Sequence, residues 1–267
     1  VTQDLGAADG RYKDYCFDKA IYVVGNEQDY HFEVLTKVLK KLGRAYASNL
    51  VHLSYGMVDL PTGKMKSREG TVVDADKLVE TMTHTAAAHT QQLGKIKDFS
   101  AQEAQQLYHM LALGALKYFL LRVDAKKRLL FDPQASIDFQ GDTGPFIQYT
   151  HARLAAVLRK AQGKGMATHT VALALRTPLQ ASERTVISQL CIFPQKLQEA
   201  AASLAPSVIA QYTFDLAKAF NRLYADLPIL HEPVLHQRNL RICLAICVAR
   251  TIQQAMRLLG IEVPERM

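Results

Sequence analysis

Residues 21–56 read IYVVGNEQDYHFEVLTKVLKKLGRAYASNLVHLSYG, and the change of hydrophobic period within this stretch decides the fold class. Ile21 to Gly25 is a short, β-branched apolar run closed by glycine, the pattern of a buried strand. From Tyr30 to Leu42 the period becomes helical, with Phe32, Leu35, Val38, Leu39 and Leu42 on one face and Gly43 placed to stop the helix. Leu50 to Tyr55 is apolar again, and Gly56 closes it. Strand, helix and strand in that order predict a right-handed parallel crossover unit. Ligands of open parallel sheets bind beyond the carboxyl ends of the strands, so the residues after Val24 fall where a substrate would sit.

Beyond Gly70 the pattern is helical almost throughout. The spacing predicts helices over 75–94 and 101–121, then a break at 129–140 with extended pieces at Leu129-Leu-Phe131 and Ile137-Asp-Phe139. Asp142-Thr-Gly-Pro145 reads as a loop running into a helix start, because proline suits the first turn and a threonine before it can cap. The helix over 146–160 has Ile147, Leu154, Val157 and Leu158 as its core face, and a loop of small and polar residues follows at 163–170. Helices at 180–204, 206–227 and 235–259 complete the chain, which holds no internal repeat.

With 267 residues, 49% of them hydrophobic, the chain has enough apolar side chains to bury a sizeable core, which argues against disorder. No apolar run approaches the length of a membrane span, and Val1 suggests a chain opening in mid-domain. Four cysteines lack C-x-x-C spacing, and Cys243 and Cys247, one helical turn apart, read as buried thiols of a reduced protein. A net charge of +7 favours a polyanionic partner such as nucleic acid or a phosphate-rich substrate.

Two constellations carry chemistry. The first is Thr2-Gln-Asp-Leu-Gly6 together with Gly25-Asn-Glu-Gln28 and His31-Phe32. A carboxylate at Asp4 and an amide at Gln28 suit a planar guanidinium, although each alone reads as readily as a helix-terminus residue. The second is Gly63-Lys-Met-Lys-Ser-Arg-Glu-Gly70, whose cations between glycines suit compensation of charge on phosphates. It lacks the spacing and helix entry of a P-loop. The alternative for this stretch is a solvated basic turn.

These motifs, in this order, resemble the arginyl-tRNA synthetases of bacteria. The likeness runs from Thr-Gln-Asp-Leu-Gly through residues 21–32, Val51-His-Leu-Ser-Tyr-Gly-Met57 and the basic loop. It continues in Gly141-Asp-Thr-Gly-Pro-Phe-Ile-Gln-Tyr-Thr-His-Ala-Arg153 and Phe220-Asn-Arg-Leu-Tyr224, and it ends at Leu259-Gly-Ile-Glu-Val-Pro-Glu-Arg-Met267. The resemblance implies a mainly α chain: the C-terminal part of a class I Rossmann-like α/β nucleotide-binding domain over 1–73, connecting helices over 74–110, and an all-α anticodon-binding bundle over 111–267. It implies an arginine–tRNA ligase that forms arginyl-adenylate and passes arginine to its tRNA, with no covalent protein nucleophile. Asp4 and Gln28 would line the arginine pocket, and Gly25 and His31 the nucleotide side. Lys64 to Arg68 match the second class I signature only partly, since Lys66 and Ser67 stand where serine and lysine are usual. Lys64, Lys66 and Arg68 would steady the ATP phosphates, beside Met65 and Ser67.

In the helical part the resemblance implies anticodon contacts from Phe146, Tyr149 and Tyr224 by stacking, from Arg153 to phosphate, and from Met267 at the tail. Phe146 and Tyr149, at helical spacing among apolar neighbours, also suit a core. The implied partners are arginine tRNA, arginine, and ATP with Mg²⁺, with no tightly bound cofactor, no metal site and no membrane, in a cytoplasmic monomer. The first class I signature, a His-x-Gly-His-like motif, has no counterpart here, so the polypeptide alone is expected to make no adenylate. The other readings are a tRNA anticodon-binding module without catalysis, and the cysteine enzyme of the same class, which calls for zinc-binding cysteines that are not placed near the pocket.

Overall fold

The computed structural model describes residues 1–59, 74–92, 98–166 and 178–267. They fall into two compact units, one of Val1–Asp59 with Asp124–Leu130, the other of Leu60–Val123 with Phe131–Met267.

The first unit opens with α1 (Thr2–Tyr15), then β1 (Ala20–Gly25), a 3-10 turn over Asn26–Gln28, α2 (Asp29–Lys41) and, after a second 3-10 turn, β2 (Leu50–Tyr55). β1 and β2 pair in parallel, with Ala20 opposite Leu50 and Gly25 opposite Tyr55. β3 (Val58–Asp59) pairs in parallel with β4 (Leu129–Leu130). Helix α2 presents Leu35 and Leu39, both fully buried, to Ala8 of α1 and to Tyr46 and Ala47. It stops in a Schellman turn: Gly43 has φ +69, its amide donates to the Lys40 carbonyl, and the Arg44 amide donates to that of Leu39. Leu42, expected on the core face, sits at that turn and is 54% exposed, because the chain leaves the helix axis there.

Helix α1 is absent from the sequence expectations, since Gly6 and Gly10 lower its intrinsic propensity. Tertiary packing overrides them. Ala8 is fully buried, Leu5 packs against the same core, and the Tyr12 ring stacks on Tyr46 at 4.6 Å.

The second unit is helical: α3 (Ala75–Gln92), α4 (Ala101–Leu121), the short α5 (Pro133–Ser136), α6 (Gly144–Gly163), α7 (Ala181–Ser203), α8 (Pro206–Asp226) and α9 (Leu235–Leu258). Start signals explain the boundaries. Ser100 and Glu103 form a capping box, Asp132 caps α5 ahead of Pro133, and the Thr143 hydroxyl accepts from the Phe146 amide. Ile137-Asp-Phe139 is a turn rather than an extended piece: the Asp138 carboxylate accepts from the Gln140 amide, and Ile137 is buried at the end of α5. Such local side-chain bonds outcompete a short apolar run.

Tyr118, Ile147, Leu154, Leu216, Phe220 and Ile252 are fully buried in the core where α4, α6, α8 and α9 meet. Val157 belongs to the same core, and Leu158 packs against it half-buried. Helices α4 and α6 approach closely: a Cβ on Gly144 would lie 2.4 Å from the Gly114 carbonyl oxygen. Arg241 is buried between Glu183 (2.8 Å) and Glu232 (2.7 Å), and its guanidinium also donates to the Pro228 carbonyl.

After α9 the chain turns at Gly260 (φ +68) and its main-chain carbonyls are taken by side chains of α4 and α6. Lys117 donates to Gly260, Gln148 to Glu262, His151 to Pro264 and Arg159 to Glu265. The four cysteines are free. Cys247 is exposed rather than buried, because its position one turn from half-buried Cys243 lies at the edge of the core-facing stripe of α9. Among the described residues no helix is long and apolar enough to cross a membrane.

Candidate functional site

The sequence directs attention to the carboxyl end of β1. Gly25 ends that strand with ordinary extended backbone (φ −60, ψ 153), and a Cβ there would meet only the Tyr55 ring at 3.8 Å, so its missing side chain leaves open space rather than relieving strain. Gln28 follows at the N-terminus of α2, exposed, without a capping bond from its side chain. His31 stands in the first turn of α2. Its Nε2 donates to the Asp4 carboxylate at 3.1 Å, joining two residues 27 apart in sequence.

Asp4 lies in the first turn of α1, where the helix dipole favours negative charge. The carboxylate is 48% exposed and remains open to solvent.

A residue with no role assigned from sequence is fixed at the same end of the sheet. His52 on β2 stacks on Phe32 at 4.3 Å, with Nε2 3.1 Å from the Val24 carbonyl and Nδ1 3.3 Å from the Asp29 carboxylate. Its signal in the sequence is a histidine within an apolar strand, paired to a neighbour that only the register reveals. The basic loop residues Lys64, Met65, Lys66, Ser67 and Arg68 lie outside the described residues.

A second constellation forms in the helical unit. Tyr149 and Arg153 are one turn apart on α6, and α8 brings Tyr224 beside them. The Arg153 guanidinium lies over both rings, 4.8 Å from the Tyr149 centroid and 5.3 Å from that of Tyr224. Asn221, one turn before Tyr224, accepts from Arg153 at 2.5 Å and donates to the Thr150 hydroxyl at 2.8 Å. Asn221 had no assigned role; its three-residue spacing from Tyr224 is the signal that places both on one face. Tyr224 is 44% exposed. Phe146 instead packs half-buried on the core, 5.4 Å from Phe214. Met267 is half-buried at the end of the tail. An oriented guanidinium between two aromatic rings suits an anionic, aromatic ligand.

Two family models match the chain in succession. That of "tRNA synthetases class I (R), catalytic domain" covers residues 1–132, and that of "DALR anticodon binding domain" covers 147–267. Fold and matches together define a class I synthetase catalytic segment followed by an anticodon-binding helical domain. The arginine–tRNA ligase of Amoebophilus asiaticus is 63% identical over all of this chain, and that of Flavobacterium psychrophilum 50%. Among solved structures, Thermus thermophilus arginyl-tRNA synthetase superposes with a TM-score of 0.81 at 31% identity, covering 94% of this chain and 41% of that one. The chain belongs to the arginyl-tRNA synthetase family. It spans 45% and 44% of the lengths of the two curated relatives.

Proposed function

We propose that the chain works in the ATP-dependent attachment of arginine to its tRNA. What supports this reading above all is 63% identity, along the whole chain, to an arginine–tRNA ligase. In it, the arginine carboxylate attacks the α-phosphate of Mg²⁺-bound ATP in line and pyrophosphate leaves; a hydroxyl of the terminal tRNA ribose then attacks the carbonyl of the arginyl-adenylate, and AMP leaves. Asp4, ionised and oriented by His31 at 3.1 Å, receives the substrate guanidinium together with the Gln28 amide. Gly25 leaves room for the nucleotide beside His31. Lys64, Lys66 and Arg68 compensate phosphate charge, flanked by Met65 and Ser67. No tightly bound cofactor takes part, and the working enzyme is a cytoplasmic monomer.

The helical unit reads the anticodon. Tyr149 and Tyr224 offer ring faces to unstacked bases, Arg153 neutralises phosphate, and Phe146 and Met267 border the same surface. The test is binding of the chain to an arginine tRNA transcript and to one with the central anticodon base changed. Loss of about tenfold or more in affinity on that change, together with a steep fall with salt, is expected. Equal binding to every tRNA would reduce the surface to a generic basic patch.

A further inference from the structure

Helices α6 and α9 and the tail line an open cleft of about 290 Å³ that none of these roles uses. That volume lies just below the usual range of ligand pockets, roughly 300–1,000 Å³, which limits the occupant to a small molecule or a single unit of a larger one. From Arg153 to Arg159 is about two-thirds of a turn beyond a whole one, so the cavity opens on a different face of α6 from the Tyr149–Arg153 pair. Leu158 and Ile246 give it an apolar floor.

Its polar side is built from both helices. Arg159 and Gln162 of α6 face Arg250 and Gln253 of α9 across it. Arg159 spends one nitrogen on the Glu265 carbonyl at 2.8 Å, which fixes its stem and leaves the rest of the fork for a ligand. Among the described residues Arg250 has neither a hydrogen bond nor an ion pair. His151, only 3% exposed, also lines the cavity. Its Nδ1 is held by the Pro264 carbonyl at 3.0 Å, while its Nε2 has no partner among the described residues. That nitrogen is not sealed off by protein atoms, so a ligand group in the cavity can reach it. Against the two arginines stands one carboxylate in the lining, that of Glu265.

We infer that this cavity binds a single nucleotide unit, its phosphate on Arg159 and Arg250 and its base over Leu158 and Ile246, with His151 Nε2 and the two glutamine amides meeting the base edge. Paired guanidinium groups favour phosphate through charge-assisted, bidentate bonds. An apolar floor suits a base ring rather than an inorganic anion. The unit comes either as a free mononucleotide or as an unstacked residue of an RNA strand.

The test is calorimetric titration of the full chain with adenosine monophosphate, adenosine, inorganic phosphate and a short single-stranded oligoribonucleotide. Adenosine monophosphate is expected to bind more tightly than adenosine or phosphate. Arg250→Gln, at an exposed and unpaired side chain, is expected to weaken it about tenfold or more with the melting temperature unchanged. Gln253→Glu, which adds a second carboxylate at the rim, is expected to weaken it similarly. An oligonucleotide that binds more tightly with the same Arg250 dependence identifies RNA as the source, and one that binds no more tightly identifies the free nucleotide. Absence of mononucleotide binding, or binding unchanged in both variants, overturns the inference.

Discussion

The α/β unit and the helical unit use similar apolar residues and bury them to different extents. In the helical unit the apolar stripes of α4, α6, α8 and α9 converge, and Tyr118, Leu216, Phe220 and Ile252 are fully buried. In the α/β unit β1 leaves Ile21 44% and Val23 63% exposed, and the described core is Ala8, Leu35, Leu39, Tyr46 and Ala47. A helix needs cover along one stripe, whereas a parallel strand is apolar on both faces and needs a layer on each. Among the described residues the helical stripes therefore cover one another, whereas the two-stranded sheet keeps part of its apolar surface open.

The contrast sharpens first at the buried charges of the helical unit. Arg241→Leu leaves Glu183 and Glu232 without their cation and is expected to destabilise this unit by about 3–5 kcal/mol, measured by urea unfolding. Retention of the parent midpoint would mean that water reaches the cluster. Next, Leu216→Ala and Leu39→Ala remove the same atoms from the two cores. Each is expected to cost about 2–5 kcal/mol, with Leu216 at the upper end because its denser surroundings collapse less readily around the hole. Equal losses would break the comparison.

A smaller effect, about 1–3 kcal/mol, is expected for Gly144→Ala, since the new methyl meets the α4 backbone rather than a side chain that can turn aside. Thermal melting reads it. The mildest change is Asp9→Asn in the α/β unit. The Tyr46 hydroxyl first, then Arg44, hold the Asp9 carboxyl below its usual range, and burial with this bond pushes the Tyr46 hydroxyl up to about 12. A depressed carboxyl contributes stability that is present above its unfolded value of about 3.9 and is lost as pH falls through the lower folded value. The variant should therefore show a flatter acid limb in a pH series of melts; an unchanged limb would assign the acid sensitivity elsewhere.

The strand-helix-strand core was legible because its periods switch within a few residues and Gly25, Gly43 and Gly56 punctuate them. The three long C-terminal helices were legible for the same reason: their apolar stripes are sustained over many turns. Helix α1 was hidden by Gly6 and Gly10, and Ile137–Phe139 was misread because three alternating residues are too few to establish a strand period. At the candidate sites, helical spacing puts Tyr149 and Arg153 one turn apart on α6, while the role expected of them came from the resemblance and not from the spacing. The Asp4–His31 bond, the seating of His52 under Val24, and the placement of Arg153 between Tyr149 and Tyr224 depend on how separate elements pack, which local pattern does not encode.

The tail beyond Gly260 is held through its carbonyls by Lys117, Gln148, His151 and Arg159, so what is recognised there is spacing rather than side-chain identity. Such a segment tolerates drift in its letters but not in its count. Exchanging Glu262 or Glu265 leaves each carbonyl opposite its donor, whereas one inserted residue puts every later carbonyl out of step at once.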